Sequence, residues 1–194
     1  MKTILLALTS LLISSTTFAH ADGPGVTKAK AIELAAHRVD RLVALKKIDA
    51  SFLKRLSSIE VIVVENQAPV YYKTRVSQTT PAEGNPMQLE ISLDEDGKPL
   101  AFLVIPNGVA GPDMGWPDKN SVELTENALH YVLENVSDAK IAPFDTAATN
   151  VTLSKTVLNK QTVVLGQISS SATTDKLNVY LKFDGTFISA EVVP

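Results

Sequence analysis

The chain has 194 residues, 18 basic against 21 acidic, a formal charge of −3 and no cysteine. That mild acidity argues against a nucleic-acid partner, which calls for a basic domain. The lack of cysteine excludes disulfides and thiolate metal sites, so the fold must rest on a hydrophobic core.

Met1-Lys2 gives a positive start, Ile4 to Ile13 an apolar run, Ser14-Ser15-Thr16-Thr17 a polar stretch and Ala19-His20-Ala21 a small-x-small end. This order is that of a secretory signal peptide, with cleavage predicted after Ala21. The apolar run is too short to span a bilayer, which takes roughly 20 apolar residues. Residues 1–21 are therefore read as signal and the protein as exported, to periplasm or extracellular medium. No second run of spanning length follows, so no transmembrane segment is expected after cleavage.

Thr27 is placed to cap an amphipathic helix from Lys28 to Leu45, with Ile32, Ala35, Ala36, Val39 and Val43 at helical spacing. Strand-like segments follow at Ile59-Glu60-Val61, at Val70-Tyr71-Tyr72 and at Leu89 to Leu93, the last running into Asp96-Gly97. Alternating apolar residues on both sides of Asp-Gly predict a hairpin over 89–105. Because neighbours on a strand point to opposite faces, one of Tyr71 and Tyr72 is expected to face away from the helix. Asp94-Glu95-Asp96-Gly97 has the look of a calcium loop, but lacks the later ligands and terminal Glu of an EF-hand, and reads as the turn.

Residues 107–120 are rich in Pro and Gly and read as an irregular linker. Within it lie Met114 and Trp116, the one tryptophan of the chain. Such a residue either pins two modules together or anchors a partner. Beyond it, Asn120 or Ser121 can cap a second helix, with Glu123 completing a capping box after Asn120. Its apolar stripe is read as Val122, Leu129, Val132, Leu133 and Val136. A second hairpin, 177–193, turns at Asp184-Gly185.

The two halves align. Leu89 to Leu93 falls on Leu177 to Leu181 at an offset of 88, and Ile59-Glu60-Val61 falls on Val151-Thr152-Leu153 at an offset of 92. The difference puts four extra residues in the first half's loop around Pro81 to Pro86, where length changes belong. The sequence therefore predicts an α+β protein of two tandem repeats, residues 22–106 and 121–194, each one helix packed on a four-stranded antiparallel sheet.

Catalytic chemistry needs a base with a nucleophile and an orienting group. Beyond the signal segment the histidines are His37 and His130 alone, both on predicted helices and read as surface residues. No Gly-x-Ser-x-Gly elbow, phosphate loop or dinucleotide fingerprint occurs. His37 and Asp40 share a helix face, yet two ligands do not make a metal site. No catalytic residue, metal or cofactor is expected.

The helix Lys28 to Leu45 and the hairpins 89–105 and 177–193 resemble the PepSY-type domain, a cystatin-like helix-plus-sheet module of exported bacterial proteins. The closest stretch is Leu177-Asn178-Val179-Tyr180-Leu181-Lys182-Phe183-Asp184-Gly185. The tandem arrangement is also similar to that of the β-lactamase inhibitor proteins, which form a concave binding sheet from two such modules but carry disulfides. The resemblance implies a binding or inhibitory role toward a protein partner in the cell envelope, through open sheet faces and the 107–120 loop. Trp116, Met114, Tyr71 and Tyr72 are the candidate contact residues. The alternative is a periplasmic small-ligand or metal-binding protein.

Overall fold

A computed structural model of the protein describes residues 25–63 and 70–194. The predicted signal segment lies outside the described residues. Thr27 starts helix α1, Lys28–Ala44, its hydroxyl accepting the Lys30 N–H at 3.2 Å. A short helix α2, Ser51–Arg55, leads into strand β1, Leu56–Val63. Strands β2 (Tyr72–Gln78), β3 (Asn85–Pro86), β4 (Gln88–Leu93), β5 (Pro99–Val104) and β6 (Gly108–Val109) follow. Helix α3, Ser121–Glu134, opens with the full capping box, Asn120 and Glu123 each satisfying the other's backbone N–H. Short helix α4 (Ala142–Thr146) precedes β7 (Ala148–Leu158), β8 (Gln161–Ser170), β9 (Lys176–Leu181) and β10 (Phe187–Val193).

Eight strands form one antiparallel sheet in the order β10-β9-β8-β7-β1-β2-β4-β5. The seam is β1 against β7, where Ile59 faces Val151, Ser58 faces Thr152 and Glu60 faces Asn150. Since Val151 stands 92 residues after Ile59, the two strands meet at matching positions, related by a local two-fold. Registers on either side of the seam also correspond. Tyr72 pairs with Leu93 as Val164 pairs with Leu181, and Ser92 with Ala101 as Tyr180 with Ser189. Even the register shifts coincide: Leu56/Ser58 matches Ala148/Asn150, and the irregularity between Pro99 and Ala101 matches that between Phe187 and Ser189.

Both helices lie on one face of this sheet. The buried stripe of α1 is Ala29, Ala31, Ile32, Ala35, Ala36, Val39 and Leu42, and that of α3 is Ser121, Val122, Leu124, Thr125, Ala128, Leu129 and Val132. They enclose a single apolar core, joined across the seam by Ile59 and Val151 and sealed at each end by Phe52 and Phe144. The predicted stripe of α3 needs correction at Val136. The helix ends at Glu134 under an Asn135 cap, so Val136 falls beyond the last turn and is exposed. Leu124 and Ala128 take up the packing instead.

The short helices α2 and α4 were not anticipated, because five residues are too few to show a helical period. The linker also differs from expectation. β6 within it pairs in parallel with β3, which is built from the longer loop of the first half. Thr79 then donates its hydroxyl to the Pro112 carbonyl at 2.6 Å, and Met114 N–H donates to the Lys54 carbonyl at 3.1 Å. The linker is thus a fastened strap, and the four extra residues near Pro81–Pro86 supply its anchor.

Candidate binding face

The alternation that buries one side of each strand aims the other side away from the helices. In β2 the buried residues Tyr72, Thr74, Val76 and Gln78 alternate with Lys73, Arg75 and Ser77. Following the partners across the sheet gives continuous polar rows on the uncovered face. One row runs Glu90, Arg75, Glu60, Asn150, Ser169, Lys176. Its two-fold mate runs Gln88, Ser77, Ser58, Thr152, Gln167, Asn178, and Glu191 of β10 stands beside Asn178 at its end.

Several side chains in and beside these rows are tied to one another. Glu90 accepts Arg75 Nη2 at 2.9 Å and Lys73 Nζ at 2.6 Å. These two bonds hold its carboxyl below the usual range despite its burial. In the other half, Gln167 Nε2 donates to Asn178 Oδ1 at 3.0 Å, and the Tyr180 hydroxyl donates to Glu191 at 2.6 Å. The bond to Glu191 raises the Tyr180 phenol. Glu90 and Arg75 are thus a locked ion pair in one half, and the equivalent positions of the other, Asn178 and Gln167, are a pair of neutral amides.

Because its pKa is lowered, Glu90 stabilises the fold above the unfolded carboxylate pKa, and this contribution is lost as pH falls through the folded value. Glu90→Gln is expected to cost about 1 kcal/mol at pH 7, since both cationic partners stay partly solvated. The difference from wild type should vanish in acid. Urea midpoints at pH 7 and pH 3 check this; equal losses at both would show that the ion pairs contribute nothing.

The sequence-derived contact residues do not converge on one site. Tyr72 is only 1% exposed and its hydroxyl donates to the Val26 carbonyl at 2.7 Å, so it is a core residue and not a contact. Burial, with Tyr71 second, pushes its phenol up to about 12. The two tyrosine rings meet edge to face at 4.9 Å, against the expectation of opposite faces. The reason is local: β2 begins only at Tyr72, so strand alternation does not reach Tyr71.

Trp116 is half-buried, its indole N–H donating to Ser121 Oγ at 3.0 Å, with Phe183 at 6.0 Å and Lys155 Nζ at 5.4 Å from the ring. Met114 is likewise packed against the core. Trp116 touches the far end of β7 while Tyr72 pairs with the far end of β1. Those ends lie in opposite directions from the seam, about 26 Å apart at strand rise. The mark that the polar residues of the uncovered face leave in the sequence is their place at the alternate positions of Leu89 to Leu93 and Leu177 to Leu181.

The helices also form a cleft of about 430 Å³ on their outer side, lined by Lys30, Glu33, Leu34, His37, Glu126 and His130. His37 Nδ1 stands 3.6 Å from Glu126. Burial raises the Glu126 carboxyl, with His37 opposing. Both imidazoles are well exposed. Among the described residues no group of three or more His, Cys, Asp or Glu is placed to hold a metal ion, and no helix is long and apolar enough to cross a membrane.

Fold and face together define an α+β protein with helices on one side of a wide antiparallel sheet. The chain belongs to a family of unknown function, DUF6488, whose pattern matches residues 1–102. No curated protein matches it. It is similar to a crystal structure from Clostridium difficile 630 described as that of a candidate lipoprotein, at 11% identity, over 80% of this chain and 91% of that one, with a TM-score of 0.30. Likeness at that level carries no argument.

Proposed function

We propose that this protein is an exported binding or inhibitory protein without catalytic activity, made of two copies of one PepSY-like module, which engages a protein partner across the uncovered sheet face. The observation that carries this is the face itself. Eight strands at strand spacing give a platform roughly 34 Å wide. With strands of about 20 Å, that approaches the 800 Å² or so that each partner contributes to a standard interface.

Lys73, Arg75 and Glu90 in one half and Gln167, Asn178, Tyr180 and Glu191 in the other are already held by one another, so these side chains have little entropy left to lose on binding. Duplication is supported by the matched registers, the matched irregularities and the like burial of Phe52 and Phe144, 92 residues apart. Export rests on the charge, apolar run and Ala19-His20-Ala21 order of the N-terminus. Trp116 serves as the junction pin on this reading.

The test is capture of envelope proteins on the immobilised, processed chain, with Arg75→Ala/Tyr180→Ala and Trp116→Phe columns beside it. A protein kept by wild type and Trp116→Phe and lost by the double variant is the expected result. Equal capture by all three, from a folded double variant, would overturn the face as the binding site.

A second reading, a small-ligand carrier, is favoured by the cleft that brings His37 and His130 to one groove. It calls for a rise in melting temperature with added metabolites or metal ions that His37→Ala/His130→Ala abolishes.

A further inference from the structure

The sheet has two free edges, β5 and β10, equivalent by the local two-fold but unlike in chemistry. Along β10 the chain carries Glu191, which holds the Tyr180 hydroxyl, and Phe187 is stacked on Tyr131 at 4.9 Å. Along β5, by contrast, no residue from Pro99 to Pro106 carries a charge. Every residue of β5 is exposed, including Phe102 at 37%, Leu103 at 56% and Val104 at 38%. Edge strands are ordinarily protected by charge, distortion or cover, since their unpaired N–H and C=O groups recruit other strands. Among the described residues, the one such protection on β5 is the irregularity next to Pro99.

We infer that β5 is a self-association edge, pairing antiparallel with β5 of a second copy of this chain. Ile105 N–H donates inward to the Gln88 carbonyl at 3.0 Å. By strand alternation Leu103 and Ala101 also bond inward to β4, so the backbone groups of Phe102 and Val104 point outward, without a partner among the described residues. A two-fold centred on Leu103 sets Phe102 against Val104 of the second copy and Val104 against its Phe102. That register forms four backbone hydrogen bonds and avoids the irregular stretch at Pro99–Ala101.

Side chains in this arrangement are complementary. Phe102 and Val104 lie opposite Ile91 and Leu89 of β4, both fully buried on the helix side. Phe102 and Val104 from each copy would therefore close over the exposed end of each core. Leu103 meets its own mate on the uncovered face, where no like charges oppose each other. The same operation at β10 would bring carboxylates of Glu191 near one another, which disfavours it. A second copy is thus the occupant that an uncharged, self-complementary edge fits, and the product is one sixteen-stranded sheet with its polar faces joined.

The test uses the absence of native cysteine. Directly opposed residues of an antiparallel pair lie within disulfide reach. Leu103→Cys in the processed chain is expected to give a covalent dimer under mild oxidation, whereas Glu191→Cys, its equivalent on β10, is not. Sedimentation velocity of wild type should show a concentration-dependent dimer. Leu103→Lys, with an unchanged near-UV circular dichroism spectrum, should weaken it about tenfold or more by opposing two ammonium groups across the axis. A wild-type chain monomeric up to several hundred micromolar, on the order of millimolar affinity or weaker, would overturn the inference. So would equal cross-linking of the two cysteine variants, or capture of β5 by a foreign apolar strand peptide in place of self-pairing.

Discussion

Phe52→Ala and Phe144→Ala are each expected to lower the stability of the protein by about 3–5 kcal/mol, a large share of what a domain has to lose. Both rings are fully buried. They occupy corresponding places, on α2 just ahead of β1 and on α4 just ahead of β7. Removing either leaves a cavity that a close-packed interior fills poorly. Because the core is one cluster across the seam, both variants should unfold in a single transition. Urea titration followed by far-UV circular dichroism and by Trp116 fluorescence checks this. The ring of Trp116 packs on Phe183 and Lys155 of the second half, away from Phe52, so for Phe52→Ala the two probes share a midpoint if the halves unfold together. A fluorescence midpoint left at the wild-type value would mean that the halves fold separately.

The second large effect is expected at Gly166. A Cβ built there would stand 2.6 Å from Ala128 Cβ of α3. The corresponding residue of the first half is Thr74, so α3 rides closer to the sheet here than a side chain would allow. Gly166→Ala should cost about 1–3 kcal/mol by overpacking. Adding Ala128→Gly should restore part of this loss, even though glycine in a helix costs about 1 kcal/mol by itself. A double-mutant cycle on melting or urea midpoints measures the coupling. Additive losses would show that the helix and strand do not touch at this point.

Much of the architecture could be read from the chain because its signals are local. Caps at Thr27 and Asn120, the period of α1 and the glycine turns all act over a few residues. The turns formed as three-residue loops, with Gly97 and Gly185 at positive φ, each N–H donating to the carbonyl three residues back. Asp94 takes the N–H groups of Asp96 and Lys98 on its carboxylate, which confirms the acidic run as a turn. What could not be read depends on partners distant in sequence. That β1 would pair with β7, making one sheet, follows from the outward edges of two strands and has no mark in either.

The candidate site was less legible than the fold. An aromatic residue in a linker looks like an anchor until its neighbours are known. Trp116 is occupied by Ser121, Phe183 and Lys155, none of which its local sequence announces. Tyr72 is a core residue because its hydroxyl finds the Val26 carbonyl, 46 residues away. The polar rows were harder still. Each strand contributes one or two unremarkable residues, and only the pairing of eight strands lines them up.

The single sheet, and with it the breadth of the uncovered face, stands or falls on the β1–β7 seam. Ser58 and Thr152 are direct partners there, both on the uncovered side. In a chain with no other cysteine, Ser58→Cys/Thr152→Cys is expected to close an intramolecular disulfide on mild oxidation, read as faster migration on a non-reducing gel. Ser58→Cys/Ser154→Cys, displaced by about 7 Å along the strand, should remain open. Closure of the displaced pair in preference to the direct one, or of neither, would contradict the seam and the continuous face built on it.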